Sequence, residues 1–246
     1  MSPPSSPDRP SFFPPAMPHG PIVELLPDLF MVTGRFRMKP GATITRNMAI
    51  VRHGGELTLV NSVRLDPQGE AALEALGTVR HLVRLGAMHG ADDPYLVDRF
   101  GPVLWAPPGT RHRAGLQTDQ ELAPGSSPVP GSTVFLFEHG KLPEAALILD
   151  MAGGVLLSCD SYQNWTSFKD CSAAVRLTAP AMGFGPAVIG GPWARAMGSE
   201  IACDFETLVT LPFAHLLPAH GSFLRDTARA DLRGAIHKRF GAAART

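Results

Sequence analysis

Charge is scarce in this chain of 246 residues: acidic and basic side chains together make up 18 %, against the ~25 % of an average globular protein. The 22 basic and 22 acidic residues cancel. No polybasic face is implied, so nothing in the composition supports nucleic acid or an anionic membrane as a partner. Cysteine is scarce too. Cys159, Cys171 and Cys203 are odd in number and form no Cys-x-x-Cys pair, which reads as reduced thiols in a soluble, cytoplasmic protein. No apolar run approaches the ~18–20 residues of a membrane span. The amino end, MSPPSSPDRPSFFPP, lacks the basic start and apolar segment of a secretory signal. A Gly-x-Ser-x-Gly elbow, a Gly-x-Gly-x-x-Gly turn and a Walker loop are also missing; Gly183 to Gly191 has glycines without a preceding strand or a following lysine. A serine nucleophile on such an elbow and nucleotide binding through such loops are therefore not expected.

What is plentiful is apolar residue, glycine and proline. At 44 % hydrophobic the chain can bury a large core in one domain. Its 25 glycines and 24 prolines are about a fifth of the residues, against roughly 12 % usually, which favours many turns and short strands over a helical bundle. Seven prolines fall in the first twenty residues, so 1–20 is expected to be an extended, flexible tail, with docking through Phe12 and Phe13 as the alternative. A single domain is expected over 21–246.

Within it PIVELL, DLFMVTGRF, ATITRNMAIVRH and ELTLVNS read as an antiparallel meander, with His53-Gly54-Gly55 turning between the last two. Asp66 as cap, Pro67 at the first helical position and Gly77 after the last apolar residue mark a short helix. TVRHLVRLG and PVLWAPPG then read as strands of a βαβ-type layer. TVFLFEHG, AALILD and GVLLSCD give three more strands, residues 161–200 read as loop plus irregular helix, HLLPAH as a strand, and Asp226 opens a last helix. Two runs of strands, each followed by helix, predict two packed sheets with helices outside.

Side chains that leave a sheet at strand ends can converge, and four such ends carry chemistry. Leu85 to Pro94 packs His89, Asp92 and Asp93 together, Glu138-His139-Gly140 has Glu144 close behind, and Ser158-Cys159-Asp160 and Pro218-Ala219-His220-Gly221 end later strands. Imidazole with carboxylate suits Zn, Mn or Fe(II). Each end also has a structural alternative: a strand-end histidine packed in a turn, an Asx turn at Asp160, and a helix start at Asp92-Asp93-Pro94.

These segments together, NMAIVRHGGELTLVNS, VRHLVRLGAMHG, LLSCDS and LLPAHG, resemble the metallo-β-lactamase fold superfamily over residues 21–240. The resemblance implies an α/β (α+β) fold, an αββα sandwich of two mixed β-sheets flanked by helices, with a metal site at one edge. It matches Asp160 to a metal-bridging Asp and His220 to the final metal-binding His. The main signature, His-x-His-x-Asp-His, falls on GAMHGADD, where only His89 remains, with Asp92 or Asp93 in the place of the Asp that orients or deprotonates water. His139 corresponds to a third metal-binding His, with Glu144 as the competing ligand. The chain is thus similar to a divergent branch of the superfamily.

The implied metal set is His89, Asp93, His139, Asp160 and His220, with Asp93 or Asp92 catalytic. One or two divalent ions are expected, Zn first, with Mn or Fe favoured by the carboxylate-rich donors. The function implied is a metal-dependent hydrolase in which a metal-bound hydroxide attacks an ester, thioester, amide or phosphoester of a small molecule. The alternative is a catalytically inactive binding or scaffold protein on the same fold. The expected partner is a small-molecule substrate, with neither nucleic acid nor membrane, and a homo-oligomer is left open. Among the other candidates, His19, His53 and His237 read as solvated, His81 as packed or surface, His215 as facing away from His220, and Cys159 as core. His112 with Arg111 and Arg113 reads as a solvated loop or a site for an anionic substrate. The loops 107–132 and 161–200, with Trp165, Phe168, Phe184 and Trp193, would shape the pocket.

Overall fold

The computed structural model describes residues 13–241; the rest of the expected tail, 1–12, lies outside them. Phe13 to Gly20, expected within that tail, lie against the body. The Arg64 guanidinium donates to the Pro14 carbonyl, Arg35 N to Pro18 O and Gly20 N to Thr33 O, both at 2.9 Å, and the Phe13 ring meets Tyr95 edge-on. His19, expected to be solvated, has a side chain only 7 % exposed. Its Nε2 accepts from Asp66 N at 2.9 Å, which ties the segment to the start of a helix.

The meander forms as its alternation dictates: β1 (Val23–Leu26), β2 (Leu29–Lys39), β3 (Ala42–His53) and β4 (Glu56–Val60) pair antiparallel in order. Gly54 and Gly55 take the left-handed backbone that the tight β3–β4 turn needs. α1 (Pro67–Leu76) starts where Asp66 accepts a hydrogen bond from Gly69 N at 2.8 Å. β5 (Thr78–Val83), α2 (Asp93–Phe100) and β6 (Val103–Ala106) complete two parallel crossovers, and β7 (Gln120–Glu121) closes a seven-stranded mixed sheet.

The second sheet contains β8 (Thr133–Leu136), β9 (Ala145–Leu149) and β10 (Val155–Ser158). The segment read as loop and irregular helix contains β11 (Tyr162–Gln163), α3 (Ala173–Thr178), β12 (Val188–Ile189) and α4 (Gly191–Met197), and α5 (Ile201–Leu208) follows. The chain then adds β13 (His215–Pro218), parallel to β10, and ends in α6 (Ala228–Phe240). That helix begins two residues after Asp226, whose φ of 64° takes it out of helical geometry.

Period-two alternation sorts these strands into layers. Ala49 and Val51 of β3 face Leu147 and Leu149 of β9 in a core between the sheets. Their neighbours Met48 and Ile50 pack outward with Leu73 of α1 and Leu96 of α2. Ala146 and Ile148 pack outward under Trp193, Phe205 and Leu232 of α4, α5 and α6. The result is the expected four-layer αββα sandwich, each fully buried Leu or Ile contributing roughly 1.5–3 kcal/mol. No described helix is long and apolar enough to cross a membrane.

Candidate metal centre

Register brings three strand ends together. Ser158 of β10 lies beside Pro218 of β13, so Asp160 and His220 leave adjacent strands two residues later. Ala145 N donates to Leu85 O at 2.7 Å, linking the run after β5, which carries His89, to the second sheet. Three asparagines lock this junction. Asn61, at φ 60°, donates to Ser158 O at 3.1 Å and accepts from Leu85 N at 3.4 Å. Asn47 of β3 donates to Pro218 O at 2.9 Å and Gly221 O at 2.7 Å. Asn164 donates from its side chain to Ser222 O at 3.0 Å, and its backbone N to His220 O at 3.2 Å. Gly221 (φ 95°) is required where it stands, since a Cβ would come within 2.0 Å of Asn164 O.

At this junction the Nε2 atoms of His89 and His220 are 3.1 Å apart. Asp160 faces both, Oδ2 at 3.4 Å from His89 Nε2 and Oδ1 at 3.3 Å from His220 Nε2. His220 Nδ1 donates to Thr45 O at 2.9 Å, which assigns the proton of the neutral ring to Nδ1 and leaves the Nε2 lone pair aimed at the cluster. Trp165 stacks on the His220 ring at 5.5 Å and 15°. Two imidazole nitrogens and two carboxylate oxygens therefore crowd together with fewer protons than contacts, an arrangement that needs positive charge at its centre. Burial opposes ionisation of Asp160, but the facing His89 and His220 outweigh it and hold the carboxyl far below the usual range. Burial likewise pushes His89 down, against the pull of Asp160.

These donors fit a divalent ion. Bonds of ~2.0–2.1 Å at a tetrahedral centre put ligand atoms ~3.3 Å apart, and the three separations fall close to that. His89 Nδ1, buried, has no hydrogen-bond partner among the described residues. Cys159 packs in the core between the sheets, yet its sulfur lies within 4.8 Å of the His89 and Asp160 ligand atoms. Burial pushes its thiol well up, so it stays protonated.

The other expected residues lie elsewhere. Asp92-Asp93-Pro94 starts α2, and both carboxylates take partners outside the cluster, although Asp93 still interacts electrostatically with His89. Asp92 pairs with the Arg46 guanidinium and accepts from Arg64 N at 2.6 Å. Asp93, buried, accepts from Ser62 Oγ at 2.5 Å and faces Arg84 at 4.0 Å. Neither lines the pocket over the cluster. His139 is half exposed, its Nδ1 held 2.8 Å from Asp204 on α5, and it takes no part in the cluster. Glu144 sits beneath it: Oε1 accepts from Asp160 N and Ser161 N, both at 3.1 Å. Burial and the neighbouring Asp160 push its carboxyl well up, and its two accepted hydrogen bonds fix the Asp160 turn. Gly86 makes room for it, since a Cβ there would stand 2.2 Å from Glu144 Oε2. His215 bonds Ala152 O and Asp226 N, facing away from His220.

The cluster floors a cavity of about 200 Å³. Arg46 and Arg113 line it with Trp165, Phe184 and Trp193 from the long loops. Arg46 and Asn47 were not among the candidate residues. Their signal was a pair of strongly polar residues followed directly by the apolar run Met48–Val51 inside one strand, where alternation must bury at least one of them.

No protein-family model and no curated protein matches the sequence. Solved structures do match. VMB-1 shares 12 % identity with a TM-score of 0.65, covering 90 % of this chain and 97 % of its own. The metallo-β-lactamase FIM-1 from Pseudomonas aeruginosa, in its mono-zinc form, shares 17 % at 0.64, covering 92 % and 97 %. A metallo-β-lactamase from Hirschia baltica shares 15 % at 0.59, covering 88 % and 98 %. Layer order, strand topology and these likenesses agree: the chain has the metallo-β-lactamase fold.

Proposed function

We propose that the chain is a metal-dependent hydrolase of small molecules, acting on an ester, thioester, amide or phosphoester, with His89, Asp160 and His220 as its metal ligands. The observation that carries this reading is the Thr45 carbonyl fixing the His220 tautomer, so that Nε2 points bare at His89 and Asp160. Two imidazoles and a carboxylate suit zinc with an open coordination position, and Fe(II) or Mn(II) next. A bound ion would supply Lewis acidity and acidify a water. Asp160 holds its negative charge in the cluster, Trp165 and the loop aromatics exclude bulk water, and Glu144 holds the backbone that aims Asp160. Asp92 and Asp93 take positioning roles, holding Arg46 and Arg84. The Arg84 side chain in turn donates to the carbonyls of Gly86 (3.0 Å) and Ala87 (2.6 Å), just before His89.

The use of Asp92 and Asp93 as partners of arginine is what favours the second reading, a binding protein on the same fold. Metal content separates the two. Protein purified without a histidine tag or chelator is expected to carry about one equivalent of Zn, Mn or Fe by plasma mass spectrometry. His220→Ala and Asp160→Ala should lose it, and with it hydrolysis of an aryl-ester and phosphoester panel, while still folding. Full activity in Asp160→Ala, or no metal taken up after each ion is added back, overturns the hydrolase reading.

A further inference from the structure

We propose that Arg46 and Arg113 form a carboxylate-binding subsite in the wall of the pocket, and that the molecule held there is an apolar monocarboxylate. The proposal rests on the reading of this pocket as the substrate site, and it names what the substrate would carry besides the bond to be hydrolysed: an apolar chain with a free carboxylate.

Arg46 is buried at 5 % exposure, an expensive place for a guanidinium unless its donors are used. One terminal nitrogen meets Asp92 and the guanidinium lies over the Phe36 ring at 4.8 Å, but Nε has no hydrogen-bond partner among the described residues, and the side chain lines the cavity. Arg113 lines the same cavity from the loop after β6, exposed and without an ion-pair partner among the described residues. The guanidiniums of Arg46 and Arg84 both feel repulsion from Arg113. Three arginines thus face at most two carboxylate charges, Asp92 and an Asp93 that burial pushes up, and the Asp160 charge is directed at the two imidazoles. At least one positive charge is left over at the pocket wall. It matches a monoanion with a planar, two-oxygen head, the geometry a guanidinium fork binds best.

The remaining wall describes the rest of the ligand. Met38, Met88 and Met182, with Ile44 and Phe184, face the cavity, and Met38 and Met88 are 44 % and 49 % exposed at its mouth. Unbranched thioether chains adapt to flexible apolar groups. An acyl chain laid on the methionines with its carboxylate on the arginines fills both halves of the site.

The test is a fluorescence titration, read through Trp165 and Trp193 at the pocket, with octanoate and its uncharged isostere octanamide. It is run on the protein as purified and after chelator treatment. Octanoate is expected to bind at least about tenfold more tightly than octanamide, and Arg113→Gln to lose about tenfold, one charge-assisted hydrogen bond. Arg113→Lys should retain part of the affinity, and chelator should leave octanoate binding intact. Equal affinity for the two probes, or wild-type affinity in Arg113→Gln, overturns the subsite. Octanoate binding that disappears with chelator and ignores Arg113→Gln also overturns it, by assigning the carboxylate to the metal, and leaves the hydrolase reading standing. Arg113-dependent binding in protein that takes up no metal supports the subsite and counts against the hydrolase.

Discussion

Replacing Asn47 with alanine tests how the site is built. Asn47 is 2 % exposed in the middle of β3. Its side chain makes three hydrogen bonds: to Pro218 O at 2.9 Å, to Gly221 O at 2.7 Å, and from Thr33 Oγ1 at 2.7 Å. Two of them hold the ends of the four-residue turn that carries His220. The backbone N–H of Asn47 donates to Ala219 O at 2.7 Å and survives the substitution, so strand β3 should still form. Each lost bond costs ~1 kcal/mol net, with more where a carbonyl stays buried and unpaired, giving about 3 kcal/mol in all. For a domain of this length that lowers Tm by about 6–12 °C. Releasing the 218–221 turn should also free His220, so the variant is expected to lose metal well before it unfolds. Asn47→Asp should be worse than alanine, because it turns a carboxylate oxygen toward two carbonyls. Thr33→Val removes only one of the three bonds and should cost about 1 kcal/mol with metal retained. Calorimetry and metal analysis on the three variants check the order. A Tm for Asn47→Ala within about 2 °C of wild type, with full metal content, would refute this account of the site.

Two further outcomes follow from the geometry. The hydrogen bond to Asp204 raises His139 above its ordinary value of 6.5; the stabilising contact is then complete below pH 6.5 and fades as pH rises through the higher folded value. Thermal scans across about pH 6–9 should show this loss in wild type, and His139→Ala should flatten it without affecting metal content. Gly221→Ala places a Cβ 2.0 Å from Asn164 O on a backbone at φ 95°. The conformation alone costs about 1–2 kcal/mol, and the forced shift beside His220 should release the metal; a variant with native Tm and metal content would contradict the packing described.

The layers were legible because local chemistry and alternation agree. Asp66-Pro67 and Gly77 bound α1 by capping and backbone geometry alone, and β9 and β10 are short apolar runs flanked by turns. His89, Asp160 and His220 were legible for a related reason: each follows a strand, Asp160 and His220 in the second sheet and His89 in the first, and side chains leaving strand ends of two packed sheets can meet at a shared edge. Asp92 and Asp93 were not. Their direction is set by Pro94 in the first turn of α2, and by Arg46 on β3 and Arg84 just after β5, partners that only tertiary structure brings near. The placement of His139 was not legible for the same reason, since its partner Asp204 lies 65 residues further on, in a helix with no side-chain cap. Thr45 was invisible in principle, because its contribution is a backbone carbonyl and any residue carries one.

The two aspartates bear on how many ions the site takes. The resemblance in sequence places a metal-holding, water-orienting carboxylate at Asp92 or Asp93, and both have a guanidinium in front of them. A guanidinium stays charged at any pH the protein meets and is held by its own side chain, so it neutralises a carboxylate without an exchangeable ion. Ser62 occupies the other Asp93 oxygen at 2.5 Å, and Arg64 N donates to the same Asp92 oxygen that Arg46 holds. Asp93 Oδ2, 4.0 Å from Arg84, has no hydrogen-bond partner among the described residues, but a second divalent ion there would enter a neighbourhood already carrying Arg46, Arg84 and Arg113. Repulsion there, at low dielectric, works against it. The cluster of His89, Asp160 and His220 shares its cavity with Arg46 and Arg113, but no guanidinium is paired with the Asp160 carboxylate, whose oxygens face the two imidazoles. One equivalent of metal is therefore the expected stoichiometry.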